Sequence, residues 1–139
     1  MTARGRHRRT TIQSRRALFE EAAAIVALEY PDRLELAMVA RRLATSPRQL
    51  QRAFAEAGQT SFRTYLRTVR MERATELLRD GSLRVWEVAQ AVGYSQSAQF
   101  AKAFRRHHGR PPSALRAAAN PRRVAALSSD CARRSVRRC

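Results

Sequence analysis

The apolar residues of this chain recur at helical spacing, and one arrangement of them occurs twice. Each copy predicts a short helix, a tight turn at a small residue and a second helix with one apolar face. The first copy comprises Leu34, Leu36, Val39, Ala40, Ala44, Ser46, Leu50, Arg52, Phe54 and Gly58. The second copy comprises Leu83, Val85, Val88, Ala89, Gly93, Ser95, Phe100, Lys102, Phe104 and Gly109. The offset is 49 residues up to the turn, 50 along the second helix and 51 at the final glycine. It predicts two helix-turn-helix units at about residues 34–57 and 83–107, the second with one extra residue at its turn.

The rest of the pattern predicts further helices around these two units. Apolar residues at helical spacing indicate a first helix that begins after Thr10 or Thr11 and ends before Pro31. A long helix at about residues 61–79 joins the two units, and a last short helix starts at Pro111-Pro112-Ser113 and reaches about Ala118. The predicted fold is therefore all-α, with about seven helices in two helix-turn-helix subdomains joined by a long linker helix.

Basic residues dominate the polar positions and extend beyond the predicted domain. The folded domain is expected at residues 10–118, with disordered basic segments at residues 1–9 and 119–139. The net charge is +17 at pH 7, and residues 33–116 contain fifteen Arg and Lys102 against six acidic residues. Because the excess is not confined to the ends, it indicates a polyanionic partner, and nucleic acid is the simplest one.

Several other classes of protein are disfavoured by the composition. No run approaches the roughly 18 apolar residues that a membrane span needs. Cys131 and Cys139 both lie in the Arg-rich tail, which fits a reducing cytoplasm better than a secreted disulfide framework. His107 and His108, taken with these cysteines, lack the spacing of a metal site, and no paired-carboxylate, Ser-His-Asp or glycine-rich phosphate-loop pattern occurs. We therefore predict a non-enzyme without metal or cofactor, cytoplasmic and associated with the nucleoid.

The second helix of each copy divides into an apolar side and an outward face. The predicted apolar sides consist of Leu50, Ala53, Phe54 and Ala57 in the first copy and Phe100, Ala103, Phe104 and His107 in the second. The predicted outward faces include Arg48, Gln51 and Arg52 in the first copy and Ala98, Ala101, Lys102 and Arg105 in the second. A solvated face is the default interpretation for a single helix, but the duplication and the charge favour contact with a DNA groove, where Arg suits guanine and Gln suits adenine. The two alanines cannot donate a hydrogen bond, so the second copy is expected to be the weaker base reader.

Both copies resemble the DNA-binding domain of the AraC/XylS family of transcription regulators. The first copy contributes Ser46, Pro47, Leu50, Gln51, Arg52, Phe54, Gly58, Ser61, Phe62, Tyr65 and Leu66 to this resemblance. The second copy contributes Val85, Val88, Ala89, Val92, Gly93, Tyr94, Ser95, Phe100, Lys102, Phe104, Gly109, Pro111 and Pro112. Between them, Arg70, Met71, Ala74, Leu77 and Leu78 are similar to the linker helix of that family. The resemblance covers about residues 15–118.

The resemblance implies a sequence-specific, double-stranded DNA-binding transcription regulator of a bacterium, and an activator. It implies a monomer that inserts two recognition helices into successive major grooves, with RNA polymerase as a further candidate partner. By resemblance, the base-reading positions are Arg48, Gln51 and Arg52 in the first unit and Ser97, Ala98, Ala101 and Lys102 in the second. The chain is similar to the stand-alone members of the family, or else it is the DNA-binding fragment of a longer regulator or repair protein.

The sequence departs from the family pattern at several positions. Glu35 and Arg84 stand where a hydroxyl cap is more common, which predicts weaker capping of both scaffold helices. Leu115 stands where a Tyr is common. Trp86 takes the place of Ala37 of the first copy, and packing against the linker helix is the favoured interpretation over a contact with a partner protein.

A non-specific nucleic-acid-binding protein of the nucleoid type is the alternative function, because the basic ends of the chain suit it. RNA-binding proteins, however, generally expose aromatic residues on which bases stack. The phenylalanines of this chain lie instead at core spacing, namely Phe54, Phe62, Phe100 and Phe104.

Overall fold

The computed structural model describes residues 3–119, and it describes side chains from residue 11 onward. This part of the chain contains seven α-helices and no strand. The helices are α1 (Ala3–Glu29), α2 (Leu36–Arg42), α3 (Pro47–Ala57), α4 (Phe62–Asp80), α5 (Val85–Ala91), α6 (Ser97–His108) and α7 (Pro112–Ala119). The predicted all-α fold is confirmed.

Helix α1 differs from the prediction at its start. It ends at Glu29, before Pro31 as predicted, but it begins at Ala3 rather than after Thr10. The prediction of a disordered arm is therefore wrong for the backbone of residues 3–9. The physical reason is that arginine has a high intrinsic helix propensity, and a helix that has already formed extends at little cost for each added residue. Of the tail predicted to be disordered, residues 120–139 lie outside the described residues.

The chain forms two compact units, and each unit contains one copy of the helix-turn-helix. Unit 1 spans Met1–Arg70 and unit 2 spans Met71–Cys139, so the division falls inside α4. Unit 1 thus consists of α1, α2, α3 and the first half of α4. Unit 2 consists of the second half of α4 with α5, α6 and α7.

Phe54 of α3 lies at the centre of the core of unit 1. It is fully buried, and its ring makes edge-to-face contacts with Phe19, Phe62 and Tyr65 at centroid distances of 5.1, 5.5 and 5.6 Å. The buried residues of this cluster are Ala22, Val26, Val39, Ala40, Leu50, Phe54, Phe62 and Leu66. Helix α3 is therefore fixed from its apolar side by residues of three other helices.

Unit 2 has its own core, again built around phenylalanines of the second helix. Phe100 and Phe104 of α6 are buried, with ring centroids 5.7 Å apart. The other buried apolar residues of this unit are Met71, Ala74, Leu78, Val88, Ala89, Val92 and Pro112. Helix α7 is held to the loop before α5 by Arg116, whose Nε donates a hydrogen bond to the Leu83 carbonyl at 2.7 Å. The phenylalanines predicted at core spacing are thus buried in both units.

The turn after the first helix of each copy has the same hydrogen bonds. In the first copy, the N–H of Ala44 donates to Arg41 and the N–H of Thr45 donates to Ala40, at 3.1 and 2.9 Å. In the second copy, the N–H groups of Gly93 and Tyr94 donate to Gln90 and Ala89 at 3.1 and 2.8 Å. Both turns are Schellman motifs, which require a left-handed residue after the helix. That residue is Ala44 with φ 51° in unit 1 and Gly93 with φ 94° in unit 2.

The two turns predict opposite effects of exchanging alanine and glycine. A left-handed conformation costs an alanine roughly 1–2 kcal/mol, so Ala44→Gly should raise the free energy of unfolding by about 1 kcal/mol. Gly93→Ala should lower it by at least about that amount. Urea denaturation followed by circular dichroism measures both. Ala37→Gly is the control, because a glycine inside α2 should destabilise by roughly 0.5–1 kcal/mol. A destabilising Ala44→Gly would contradict the turn geometry.

Candidate nucleic-acid interface

Helix α3 begins with a side-chain cap. Ser46 is the N-cap residue, and its Oγ accepts a hydrogen bond from the N–H of Gln49 at 3.2 Å. Pro47 follows at the first helical position, where the missing N–H costs no hydrogen bond. The cap determines where the helix begins, and burial of Leu50, Ala53 and Phe54 determines which side chains point away from the core.

The three predicted base-reading residues of unit 1 share the exposed face of α3. Arg48, Gln51 and Arg52 are all exposed, whereas Leu50 and Phe54 on the opposite side are fully buried. Two guanidinium groups and one carboxamide on one face give a dense set of hydrogen-bond donors, together with one acceptor. In the major groove, guanine presents two hydrogen-bond acceptors that suit arginine. Adenine presents one donor and one acceptor, which suit glutamine.

Two details at the end of α3 differ from the prediction or were missed by it. Ala57 was placed on the apolar side but is exposed, because it is the last helical residue and lines an open groove beside α1. Glu56, one residue earlier, forms an ion pair with Arg15 of α1. Neither Arg15 nor Glu56 stood out in the sequence, since a pair that is 41 residues apart follows no helical spacing.

Helix α6 presents a face with fewer donors. Ser97, Ala98, Lys102 and Arg105 are exposed, while Ala101 is half-buried. The extra residue of the second copy lies in the turn before α6, so that Gln96 rather than Ser95 is the N-cap, and its side chain makes no capping hydrogen bond. All five predicted residues thus lie on α6, but their contact with DNA stays a prediction.

The packing at the end of α6 differs from the prediction. The spacing predicts His107 on the apolar side, but His107 is exposed. His108 instead packs against Phe104, with ring centroids 4.4 Å apart, and its Nε2 lies 2.9 Å from Oγ1 of Thr75. The Thr75 hydroxyl donates to the Met71 carbonyl at 2.9 Å, so its oxygen is left to accept from Nε2 of His108. Residues three and four positions apart are both neighbours on a helix, so the spacing allows either histidine to meet the Phe104 ring, and packing beside Thr75 selects His108.

The environment of His108 predicts a pH-dependent stability. The His108 side chain is exposed overall, and only partial desolvation lowers its pKa from the ordinary value of 6.5, with a further lowering by the neighbouring His107, so the effect on stability should be small. As the pH is lowered, the unfolded chain therefore binds a proton at position 108 at a higher pH than the folded chain does. The free energy of unfolding should thus fall as the pH decreases through 6.5 toward the pKa of the folded state.

The measurement compares wild type with His108→Gln in urea denaturation at pH 7.5 and about pH 5.5, a range in which an ordinary histidine titrates. The variant should lose less stability on acidification than wild type. An identical loss in the two proteins would contradict the assigned environment.

The scaffold helices α2 and α5 begin differently, although both lack the hydroxyl cap. Glu35 makes no capping hydrogen bond with its side chain. At α5, the carboxylate of Glu87 accepts a hydrogen bond from the N–H of Arg84 at 2.7 Å. The guanidinium of Arg84 has no acceptor, so this is one half of a capping box. The predicted weakness of the start therefore holds more fully for α2 than for α5.

The basic end of α6 extends the positive surface of unit 2. Its last turn contains Arg105, Arg106 and the two histidines, and Arg110 follows, with all of these residues exposed.

Trp86 of α5 is 48% exposed, so only about half of its side chain is buried against the rest of the protein. Among the described residues, no three His, Cys, Asp or Glu side chains come together as a metal site, and no helix could span a membrane. Cys131 and Cys139 lie outside the described residues.

A family model described as a helix-turn-helix domain matches residues 39–118, which is more than half of the chain and includes α3 and α6. A solved structure of a transcriptional regulator with an AraC-type DNA-binding domain, from Chromobacterium violaceum, superposes with a TM-score of 0.70. It is 26% identical, over 74% of this chain and 92% of that chain. The chain belongs to the AraC-type helix-turn-helix family. The resemblance inferred from the sequence is confirmed.

A further similar structure contains DNA. The DNA-binding domain of AdpA, described as a global transcriptional factor in complex with a target DNA, is 28% identical with a TM-score of 0.69. The match covers 76% of this chain and 95% of that one. The Msm operon regulatory protein of Streptococcus mutans is 30% identical over 110 residues, which are 79% of this chain and 40% of that protein. The chain spans about two fifths of the length of the curated relatives it matches first.

Proposed function

We propose that this AraC-type chain regulates transcription in a bacterium by sequence-specific binding to double-stranded DNA. The observation that supports this most directly is the outward face of α3, where Arg48, Gln51 and Arg52 are exposed on a helix whose other side is buried. Similarity to a domain that binds a target DNA supports the same function.

The two units have different tasks in this proposal. Unit 1 selects the sequence, because Arg52 can form two parallel hydrogen bonds to guanine and Gln51 can do so to adenine. Unit 2 mainly anchors, because Ala98 can at most touch a thymine methyl group, whereas Lys102 and Arg105 suit phosphate. Each recognition helix occupies a major groove, and the two grooves are successive ones along the DNA.

The remaining parts of the proposal follow from the family and the composition. The chain acts as a monomer on DNA, associates with the nucleoid in the cytoplasm and is an activator that cooperates with RNA polymerase. It has no catalytic role and no cofactor. The net charge of +17 supplies the sequence-independent part of the affinity, because each phosphate that is neutralised releases counterions.

Genome-wide mapping of bound positions in the source bacterium tests the function as a whole. The proposal predicts a limited set of sites upstream of genes, sharing one sequence motif, and lower transcript levels of those genes when the protein is deleted. Higher transcript levels would make it a repressor. Even coverage of the chromosome without a motif would favour the non-specific, nucleoid-type alternative.

A further inference from the structure

We propose that Arg15 of α1 is a positioning residue for DNA recognition, because it holds the carboxylate of Glu56 away from the base-reading guanidinium of Arg52. This inference rests on the proposed function, and it assigns a role to an ion pair between two helices. Arg15 and Glu56 are paired across unit 1, with side chains 24% and 50% exposed.

The spacing along α3 makes Glu56 a competitor for Arg52. Residues four apart lie next to each other on a helix, with Cβ atoms about 5–6 Å apart. Arg52 therefore has Glu56 as a neighbour one turn later and Arg48 as a neighbour one turn earlier. The like charge of Arg48 disfavours one direction for the Arg52 side chain, and the opposite charge of Glu56 favours the other.

A free Glu56 carboxylate would oppose base reading by Arg52. It would pair with Arg52, and that pair would have to break before the guanidinium could reach a base. The ion pair with Arg15 occupies this carboxylate and directs it toward α1, on the side of the groove lined by Phe19 and Ala57.

The second copy of the repeat supports the assignment by its difference. Lys102 of α6 is the equivalent of Arg52, and the residue four positions later is Arg106, so no carboxylate follows the basic residue there. Arg106 is exposed, as Lys102 is. The first copy has a carboxylate at this position and also a basic partner that restrains it. The second copy has no carboxylate there, so it needs no such partner.

The test measures affinity for the preferred DNA and for a DNA changed at the base that Arg52 reads, at one salt concentration. That base is the position whose preference is lost in Arg52→Ala. Arg15→Ala should lower the affinity for the preferred DNA about twofold more than Arg16→Ala does, since an ion pair at this spacing is worth about 0.2–0.5 kcal/mol, or roughly 1.4- to 2.3-fold. Arg16→Ala is the matched control, because Arg16 is the next residue of α1 and pairs with Glu20 of the same helix at 3.5 Å.

Two further variants separate positioning from a structural role. Arg15→Lys should restore the affinity, because it keeps the charge. In a Glu56→Gln background, Arg15→Ala should cost no more than Arg16→Ala, because no carboxylate remains to be released. A deficit of Arg15→Ala that persists in the Glu56→Gln background, or that is equal on both DNAs, would overturn the proposal. A wild-type protein without any base preference would instead overturn the proposed function, before any variant is measured.

Discussion

Replacement of Arg52 by alanine is expected to lower the affinity for the preferred DNA site while leaving the affinity for scrambled DNA nearly unchanged. A bidentate contact between arginine and guanine is worth about 1–3 kcal/mol of discrimination, which corresponds to roughly five- to 150-fold in affinity. The Arg52 side chain is exposed, and the core contacts of α3 are made by residues such as Ala53 and Phe54. Truncation of Arg52 should therefore leave the core intact. Binding titrations on the two DNAs at equal salt give the ratio.

Lys102→Ala is the matched control for this prediction, because Lys102 is the equivalent residue of unit 2. A phosphate contact weakens binding to all sequences alike, and its loss should reduce the slope of log affinity against log salt by about 0.9. The Arg52 variant should change the base preference and the Lys102 variant should change the salt slope. Equal losses on both DNAs for Arg52→Ala would show that unit 1 does not select the sequence.

Truncation of Phe54 is expected to have the largest effect on the fold. Phe54 is fully buried, contacts three aromatic rings and belongs to α3, the helix on which Arg48 and Arg52 are exposed. A buried Phe→Ala substitution costs about 3–5 kcal/mol, which is a large part of the roughly 5–15 kcal/mol that stabilises a typical domain. Phe54→Ala should therefore unfold unit 1 at a much lower urea concentration than wild type, and site-specific binding should be lost with it.

Met38→Ala provides the comparison for Phe54→Ala. Met38 lies on α2 of the same unit but is 46% exposed, so its truncation should change the unfolding midpoint little. Phe100→Ala should have the corresponding large effect on unit 2, since Phe100 is fully buried there. A midpoint of Phe54→Ala that equals that of Met38→Ala would contradict the assignment of Phe54 to the core.

The sequence predicted those features that depend on local spacing. The apolar side of α3 follows from the positions of Leu50 and Phe54, and the start of the helix follows from Ser46 and Pro47, whose side chains act within one turn. The one-residue difference between the copies also appeared in the sequence, and it lies in the turn before α6, where Gln96 takes the N-cap position. In such cases the residues that determine the structure are neighbours along the chain.

The features that the sequence did not predict depend on partners far along the chain or on choices between adjacent residues. The pair of Arg15 and Glu56 brings together α1 and α3, and no periodicity links them. His107 and His108 are both within four residues of the buried Phe104, and only packing decides that His108 meets its ring. Helix α1 begins at Ala3 because a helix that has already formed extends through the polar residues before it. The spacing of apolar residues cannot reveal such an extension.

Selection of preferred sequences from random double-stranded DNA, followed by affinity measurements at one fixed salt concentration, tests sequence-specific recognition most directly. Sequence-specific recognition predicts a single enriched motif that wild-type protein binds at least about a thousandfold more tightly than scrambled DNA of the same length. It also predicts that this ratio falls when Arg52 is replaced. A pool without an enriched motif and a ratio near one would contradict the account, because the charge of the chain alone would then explain its binding.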